Sequence, residues 1–364
     1  MSISRRERAR RWLHDGVLLA CVAAFASACA GSAPADAGAP AKGNDGEQPG
    51  APARWDFAYF YADGTHLYGV SSDAHTVTPV VSGSPMDPVG PITFDRSYVY
   101  YAGADPGSAD TLAVMAQPVD GSRSPVPLVT NVSSVTALAL DDTSLYILGS
   151  TYTTGQTGVT NFTTSLTQVP LDAEGVDAST LVKLAEEPAA RGLELSVSDG
   201  NVYFSEAVGE SPTSDPPAGA RVRRVSATGG APETVAEATN LTYFAVDAGE
   251  LYYLDTGGLT IDCGPLNPTI EHLPSDGSAM TQVATGLPVQ GPLAVREGAL
   301  YFSTRGKGCT GEPASDLLKL TSPGGSVETL VSGVTGPADF YFSDQDLYFT
   351  YYRSGAPVPA VTPL

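Results

Sequence analysis

One pattern returns six times along this 364-residue chain and decides what it can fold into. Two apolar residues bracket a smaller one, a polar turn of four residues follows, and then come an aliphatic residue, a tyrosine and a second bulky residue. ITFDRSYVYY (92–101) is the first copy. LALDDTSLYI (138–147), LSVSDGNVYF (195–204), FAVDAGELYY (244–253), LAVREGALYF (293–302) and FYFSDQDLYF (340–349) follow it. The shared tyrosines are Tyr100, Tyr146, Tyr203, Tyr252, Tyr301 and Tyr348, spaced by 46, 57, 49, 49 and 47 residues. Alternation with a period of two marks strands, and the polar turn between them marks a hairpin. A tandem unit of this length with β patterning throughout reads as a propeller blade. The composition agrees: with 39 Gly, 29 Pro and only 16 % charged residues, the chain suits short strands and tight turns.

The second half of each unit supplies two more strands. LAVMAQPVDGSRSPVPLV, LTQVPLDAEG with STLVKL, VRRVSATGGAPETVA, IEHLPSDGSAMTQVA and LLKLTSPGGSVETLV each read as a strand, a Gly-containing turn and a last strand. Calling the four strands A to D, the last unit stops after B, while HLYGVSSDAHTVTPVV (66–81) near the start reads as a C–D pair. The expectation is an all-β, six-bladed propeller of four-stranded antiparallel blades over residues 55–353, with one blade closed by both termini. Phe57–Tyr61 is an additional strand that competes with Leu347–Tyr352 for the B position. The alternative is that it starts a short seventh unit, giving seven blades. Residues 354–364 are set aside as a C-terminal tail.

The motif h-x-h-D-x-x-x-h-Y-h, with its downstream Asp-Gly-Ser or Gly-Gly turn, resembles the blades of TolB-like, YWTD and NHL six-bladed propellers over about residues 55–352. It departs from the YWTD pattern, since the tyrosine is followed by Tyr, Phe or Ile and never by Trp. The resemblance implies an architecture and no single activity, because such propellers serve as receptors, scaffolds and enzymes.

Residues 1–28 read as a signal peptide. Arg5, Arg6, Arg8, Arg10 and Arg11 form a basic region, and Gly16–Ala28 is apolar or small throughout. That stretch is too short to span a bilayer, which takes ~20 residues. Ala26 and Ala28 satisfy an ordinary cleavage site; with Cys29 directly after, the segment also resembles a bacterial lipobox. That resemblance implies lipidation of Cys29 and a lipoprotein of the outer membrane, facing the periplasm or the cell surface. The alternative is a soluble periplasmic or secreted protein. Residues 29–54 hold almost no large apolar side chain and read as a disordered Ala/Gly/Pro-rich tether. A net charge of −21 repels phosphate backbones, so no nucleic-acid partner is expected, and membrane contact is expected through the anchor alone.

The A–B turns are short everywhere, whereas the B–C connections are long and dissimilar. Those connections share one face of a propeller with the D–A connections, and variation there points to specific contacts. Cys263 and Cys309 fall in B–C connections of neighbouring units, which predicts a disulfide in an oxidising compartment. Strand A lines the axis, with Thr93, Ala139, Ser196, Ala245, Ala294 and Tyr341 facing it. Two residues earlier on the same side stand Glu194, Tyr243 and Asp339. The candidate ligand-binding set is therefore Glu194, Tyr243, Asp339 and Tyr341, which suits a polar ligand or a divalent cation, although no cofactor motif is present. After the signal region only His66, His75 and His272 remain, all in C–D regions, and no nucleophile, zinc or phosphate-loop motif occurs. The expected role is a non-enzymatic binding or scaffold protein that presents its B–C face to a protein or glycan of the cell envelope. The alternative is a lactonase-like, metal-assisted hydrolase working at the channel mouth.

Overall fold

The computed structural model describes residues 57–63, 65–74, 76–82, 90–154, 160–208, 219–256, 268–284, 287, 289–304, 314–335, 337–353 and 356–364. The signal segment, Cys29, the tether, His75, Cys263 and Cys309 lie outside the described residues. No helix among the described residues is long and apolar enough to cross a membrane.

Seven sheets succeed one another along the chain, so the blade count is the seven of the alternative and not six. Blade 2 comprises Ile92–Phe94 (A), Tyr98–Ala104 (B), Leu112–Pro118 (C) and Val126–Val132 (D). Blade 3 comprises Ala137–Leu140, Ser144–Thr154, Thr160–Pro170 and Val182–Pro188. Its C–D excursion adds Val176–Asp177 in parallel to the outer strand of blade 2, then makes a 3-10 turn at Ala178–Thr180 capped by Asp177. Blade 4 runs through Ala190–Ser198, Asn201–Val208, Gly219–Ser226 and Glu233–Ala238; blade 5 through Leu241–Asp247, Glu250–Asp255, Thr269–Leu273 and Thr281–Ala284; blade 6 through Val289–Arg296, Ala299–Thr304, Ala314–Leu320 and Val327–Thr335. The two end blades have three strands each. Blade 7 is Ala338–Phe342, Asp346–Arg353 and Ala356–Pro363, and blade 1 is Phe57–Ala62, His66–Ser71 and Val77–Ser82.

Direction identifies the strands of blade 1. The Tyr348 hydroxyl, at the A–B turn end of blade 7, donates to the Ser72 carbonyl (3.0 Å), so the turn after His66–Ser71 lies on the A–B turn face. At the opposite face, Ala62 abuts Gly90 where blade 2 begins. Blade 1 therefore reads B–C–D, as expected for 66–81, and lacks an A strand among the described residues. Blade 7 reads A–B–C, with no D strand among the described residues. No blade is shared by the two termini: among the described residues the first and last sheets exchange no strand.

The segment 356–363, set aside as a tail, is the C strand of blade 7. Its three prolines, Pro357, Pro359 and Pro363, fall on alternate residues of the same parity, paired with Tyr352, Thr350 and Asp346. Proline has no N–H, so it suits positions whose nitrogen points away from the neighbouring strand. The prolines thus blunt the outer edge of an edge strand, where a fourth strand would otherwise dock.

Seven hydrophobic clusters occupy the seven interfaces of the ring. The motif tyrosines Tyr100, Tyr146, Tyr203, Tyr252, Tyr301 and Tyr348 are all buried, each facing the next blade. At the seam between blades 7 and 1, side chains replace a shared sheet. Tyr59, Tyr61, Val70 and Tyr348 are buried together, and the Tyr59 hydroxyl donates to the Phe349 carbonyl (3.2 Å). Where blade 1 has no A strand, rings fill the gap: Tyr341 stacks on Tyr59 (5.5 Å between centroids) and leans on Phe94 (5.0 Å).

Candidate functional site

The A strands of blades 4 to 7 do not keep a strict alternation. Their pairing with strand B shifts between Gly192 and Leu195, Leu241 and Tyr243, Val289 and Leu293, and Ala338 and Tyr341. Each shift is a bulge, which inserts residues on one strand and re-aims the side chains around it. Glu194 and Asp339 fall inside such shifts, where a count of two residues from the axis positions does not hold, whereas Tyr243 pairs in unbroken register with Ala245 and keeps its side.

The bulge fixes Glu194 instead as a bridge between two blades. Its N–H donates to Ser205 Oγ (3.1 Å), and its carboxyl Oε2 accepts from the backbone N–H of Phe244 on the A strand of blade 5 (2.9 Å). The residue is partly accessible, yet protein surrounds the carboxyl. Loss of bulk water pushes its pKa up to about 8, against the opposing Phe244 bond. Glu194 is therefore a protonated acid at neutral pH. Tyr243 packs against the cluster between blades 5 and 6, whereas Tyr341 belongs to the aromatic seam between blades 7 and 1. Asp339 lies in the A strand of blade 7, with its side chain outside what the structure describes. Glu194 thus bridges blades 4 and 5, while Tyr341 lies in the seam between blades 7 and 1. Among the described residues no group of three or more His, Cys, Asp or Glu could hold a metal ion. A lone carboxyl already accepting a backbone bond does not fit the six to eight oxygens of calcium or the near-octahedral shell of magnesium.

The two described histidines make structural contacts. His66 opens strand C of blade 1, at the start of its C–D pair, and its Nδ1 lies 2.8 Å from Thr65 Oγ1. His272 is buried on strand C of blade 5, stacked on Tyr252 (4.5 Å) with Nε2 2.5 Å from Glu250 Oε2.

On the B–C face two of the connections expected to be long loops are built structure. In blade 2, buried Asp105 accepts from the N–H groups of Gly107 (2.8 Å) and Asn131 (2.7 Å) and from Thr111 Oγ1 (3.1 Å). The Asn131 bond leads in holding its pKa below the usual carboxylate range. In blade 3 the segment becomes a long hairpin. Its B and C strands have eleven residues each and pair as far as Thr154 with Thr160, whereas the other B strands have six to eight. Tyr152 on this projection is 52 % exposed, an unusual state for a ring of its size. It stands 6.2 Å from Phe162, and the Arg191 guanidinium lies 5.9 Å from the Phe162 centroid. Arg191 is the second residue of the A strand of blade 4, three residues before Glu194. This trio was not singled out in the sequence. Its signal was the Thr- and aromatic-rich run on both sides of Gly155, which favours strand over loop. The connections 209–218, 257–267 and 305–313 lie outside the described residues, and with them the expected disulfide.

These features define a seven-bladed propeller with an aromatic–guanidinium projection on its B–C face. No family model matches the chain, and no curated protein matches it. Solved structures do share its fold. An oligogalacturonate lyase in complex with manganese aligns over 82 % of each chain with a TM-score of 0.56 and 13 % identity. The β-propeller domain of the Trilobed protease from Pyrococcus furiosus, described as having an open velcro topology, aligns over 83 % of this chain and 88 % of its own (TM-score 0.52, 9 % identity). Acylaminoacyl peptidase from Pyrococcus horikoshii aligns over 84 % of this chain (TM-score 0.55, 8 % identity), which spans about half (48 %) of that protein. Identities this low establish the fold alone.

Proposed function

We propose that the protein is an exported binding propeller, held at the cell envelope through lipidated Cys29, that engages a protein or glycan partner through its B–C face. The observation that carries this reading is the blade 3 projection, with exposed Tyr152 and the Arg191–Phe162 pair at its side. Aromatic rings and arginine are the residues that most often anchor interfaces. The test is capture of envelope partners by the full chain and by a Tyr152→Ala/Arg191→Ala variant of unchanged melting temperature. Loss of the captured partner supports the reading. An unchanged partner set sinks it.

A second reading rests on Glu194. A carboxylic acid that keeps its proton at pH 7 has the state a general acid needs, and the propellers of similar fold carry the names of lyases and peptidases. The metal-assisted, lactonase-like form of this reading lacks a donor set among the described residues. Turnover of lactone or glycan substrates that disappears in Glu194→Gln would favour the enzyme over the binding protein.

A further inference from the structure

Blades 4, 5 and 6 repeat one arrangement on the A–B turn face, and the third copy is incomplete. In each, the residue directly opposite the motif tyrosine on strand C is basic or an imidazole: Arg224 faces Tyr203, His272 faces Tyr252, and Lys319 faces Tyr301. In blade 4 the guanidinium lies 6.0 Å from the Tyr203 centroid, and its Nε donates to Glu233 Oε1 (2.7 Å). In blade 5 the imidazole pairs with Glu250. In blade 6 the Lys319 ammonium lies 5.5 Å from the Tyr301 centroid, and among the described residues no carboxylate is within ion-pair distance of it. Glu328, which pairs with Lys319 across the strands as Glu233 does with Arg224, makes no ion pair with it.

The unpaired ammonium borders a cleft between blades 6 and 7. Its volume is about 400 Å³, and its walls include Arg296, Tyr301, Lys319, Thr321 and Leu364. That is room for a small molecule. Tyr301 is buried, and its hydroxyl makes no hydrogen bond to a described group. Arg296 is committed elsewhere: it donates to the Ser343 carbonyl and lies over Phe342 (5.7 Å). The carboxylates of Glu297 and Asp344 stand at the rim, 84 % and 109 % exposed. Water screens them there, and they weigh less than the ammonium inside.

We propose that this cleft binds a small ligand through one oxyanion, a carboxylate or a phosphate. The oxyanion sits on Lys319 as Glu233 sits on Arg224 and Glu250 on His272, and accepts a second bond from the Tyr301 hydroxyl. The rim carboxylates make the rest of the ligand neutral or cationic where it leaves the cleft, so polyanions are excluded. Charge-assisted bonds of this kind are the strong ones.

The experiment titrates the full chain at low salt with acetate, 4-aminobutyrate and inorganic phosphate separately, following the backbone amides of Ala299, Tyr301 and Thr321 by NMR. Saturable shifts at these amides are expected with at least one carboxylate or with phosphate, and the preferred probe identifies the oxyanion. Lys319→Met keeps the stem over the ring and should weaken binding on the order of tenfold. Tyr301→Phe should weaken it about threefold, while Lys319→Arg and the blade 4 control Arg224→Met leave it unchanged. A shift that never saturates, an equal response to chloride, or undiminished binding in Lys319→Met with native chemical-shift dispersion would overturn the proposal.

Discussion

Blades 2 and 3 hold the motif tyrosine from its own turn, whereas in blades 4, 5 and 6 a side chain of the neighbouring strand C lies against it. In blade 3, Asp141 Oδ1 accepts from the N–H groups of Thr143 and Ser144 (2.8 Å each), and Oδ2 accepts from the Tyr146 hydroxyl (2.7 Å). Blade 2 repeats this with Asp95, Ser97, Tyr98 and, at 3.4 Å, Tyr100. The residues opposite those tyrosines on strand C carry no charge: Gln168 and Ala116. Blades 4 to 6 use two-residue turns whose residues all have positive φ, at Asp199-Gly200, Ala248-Gly249 and Glu297-Gly298. Such turns match the strand twist and want glycine second. Strand C there places Arg224, His272 or Lys319 against the face of the ring. The ring packs alike in both groups; what differs is whether the turn carboxylate meets its hydroxyl or a strand C side chain meets its face.

The largest test of this contrast is Asp141→Ala against Ser198→Ala, the same motif position in blade 4. Asp141→Ala removes bonds to two backbone N–H groups and a buried tyrosine's hydroxyl and should cost about 2–3 kcal/mol in denaturant unfolding. Ser198→Ala, whose hydroxyl reaches only Asp199, should cost under ~0.5 kcal/mol. Equal costs would mean that the two turn types do not divide the work in this way.

Acid and alkali should separate the turn from the channel. Burial raises the pKa of Asp141, but bonds from Tyr146, Thr143 and Ser144 outweigh it and leave the pKa lowered. The stability Asp141 contributes is present above its unfolded pKa near ~3.9 and is lost as pH falls through the folded value. Glu194 has the opposite sign. Its folded pKa of about 8 lies above the ordinary 4.5, so the folded state holds a proton that the unfolded chain has released. Stability therefore declines as pH rises from about 4.5 to about 8 and is level above that. Allowing for the residue's partial accessibility, the decline should be on the order of 2 kcal/mol. Glu194→Gln should remove that slope and leave the acid limb intact, and Asp141→Asn should do the reverse. A Glu194→Gln profile that keeps the decline would remove the buried-acid assignment.

The two groups of blades also show what was legible in the sequence. The repeated turn–tyrosine unit revealed the propeller, the strand order within each blade and the C–D assignment of 66–81, because hairpins declare themselves locally. The count failed at the ends for two physical reasons. Prolines 357, 359 and 363 argue against a strand in general, yet an edge strand tolerates them when their nitrogens face outward. The termini were expected to close one blade between them because sheet edges are costly, but Tyr59, Tyr341 and Tyr348 close the ring with side chains alone, a tertiary solution without a local signature. The site failed where alternation fails. Glu194 was found as a channel residue, but the bulge at 192–195 depends on how strands A and B register, and it turned the carboxyl toward Phe244. Tyr152, Phe162 and Arg191 meet only because the blade 3 hairpin extends further than its neighbours.

The smallest effect bears most directly on the two ways of holding the tyrosine. Coupling energies from double-mutant cycles isolate each pair. In blade 3, Asp141→Asn with Tyr146→Phe should give about 1 kcal/mol, little changed by salt, because the 2.7 Å bond is charge-assisted and partly buried. In blade 4, Arg224→Met with Tyr203→Leu, which removes the ring, should give about 0.5 kcal/mol. The guanidinium side chain is 36 % exposed and shared with Glu233, so this coupling should shrink as salt rises from about 0.05 to about 0.5 M, roughly a threefold contraction of the Debye length. Equal couplings with equal salt dependence would show that the strand C cation holds its tyrosine no differently from the turn carboxylate. A blade 4 coupling of zero would show that the cations of blades 4 to 6 merely lie over rings already held by packing.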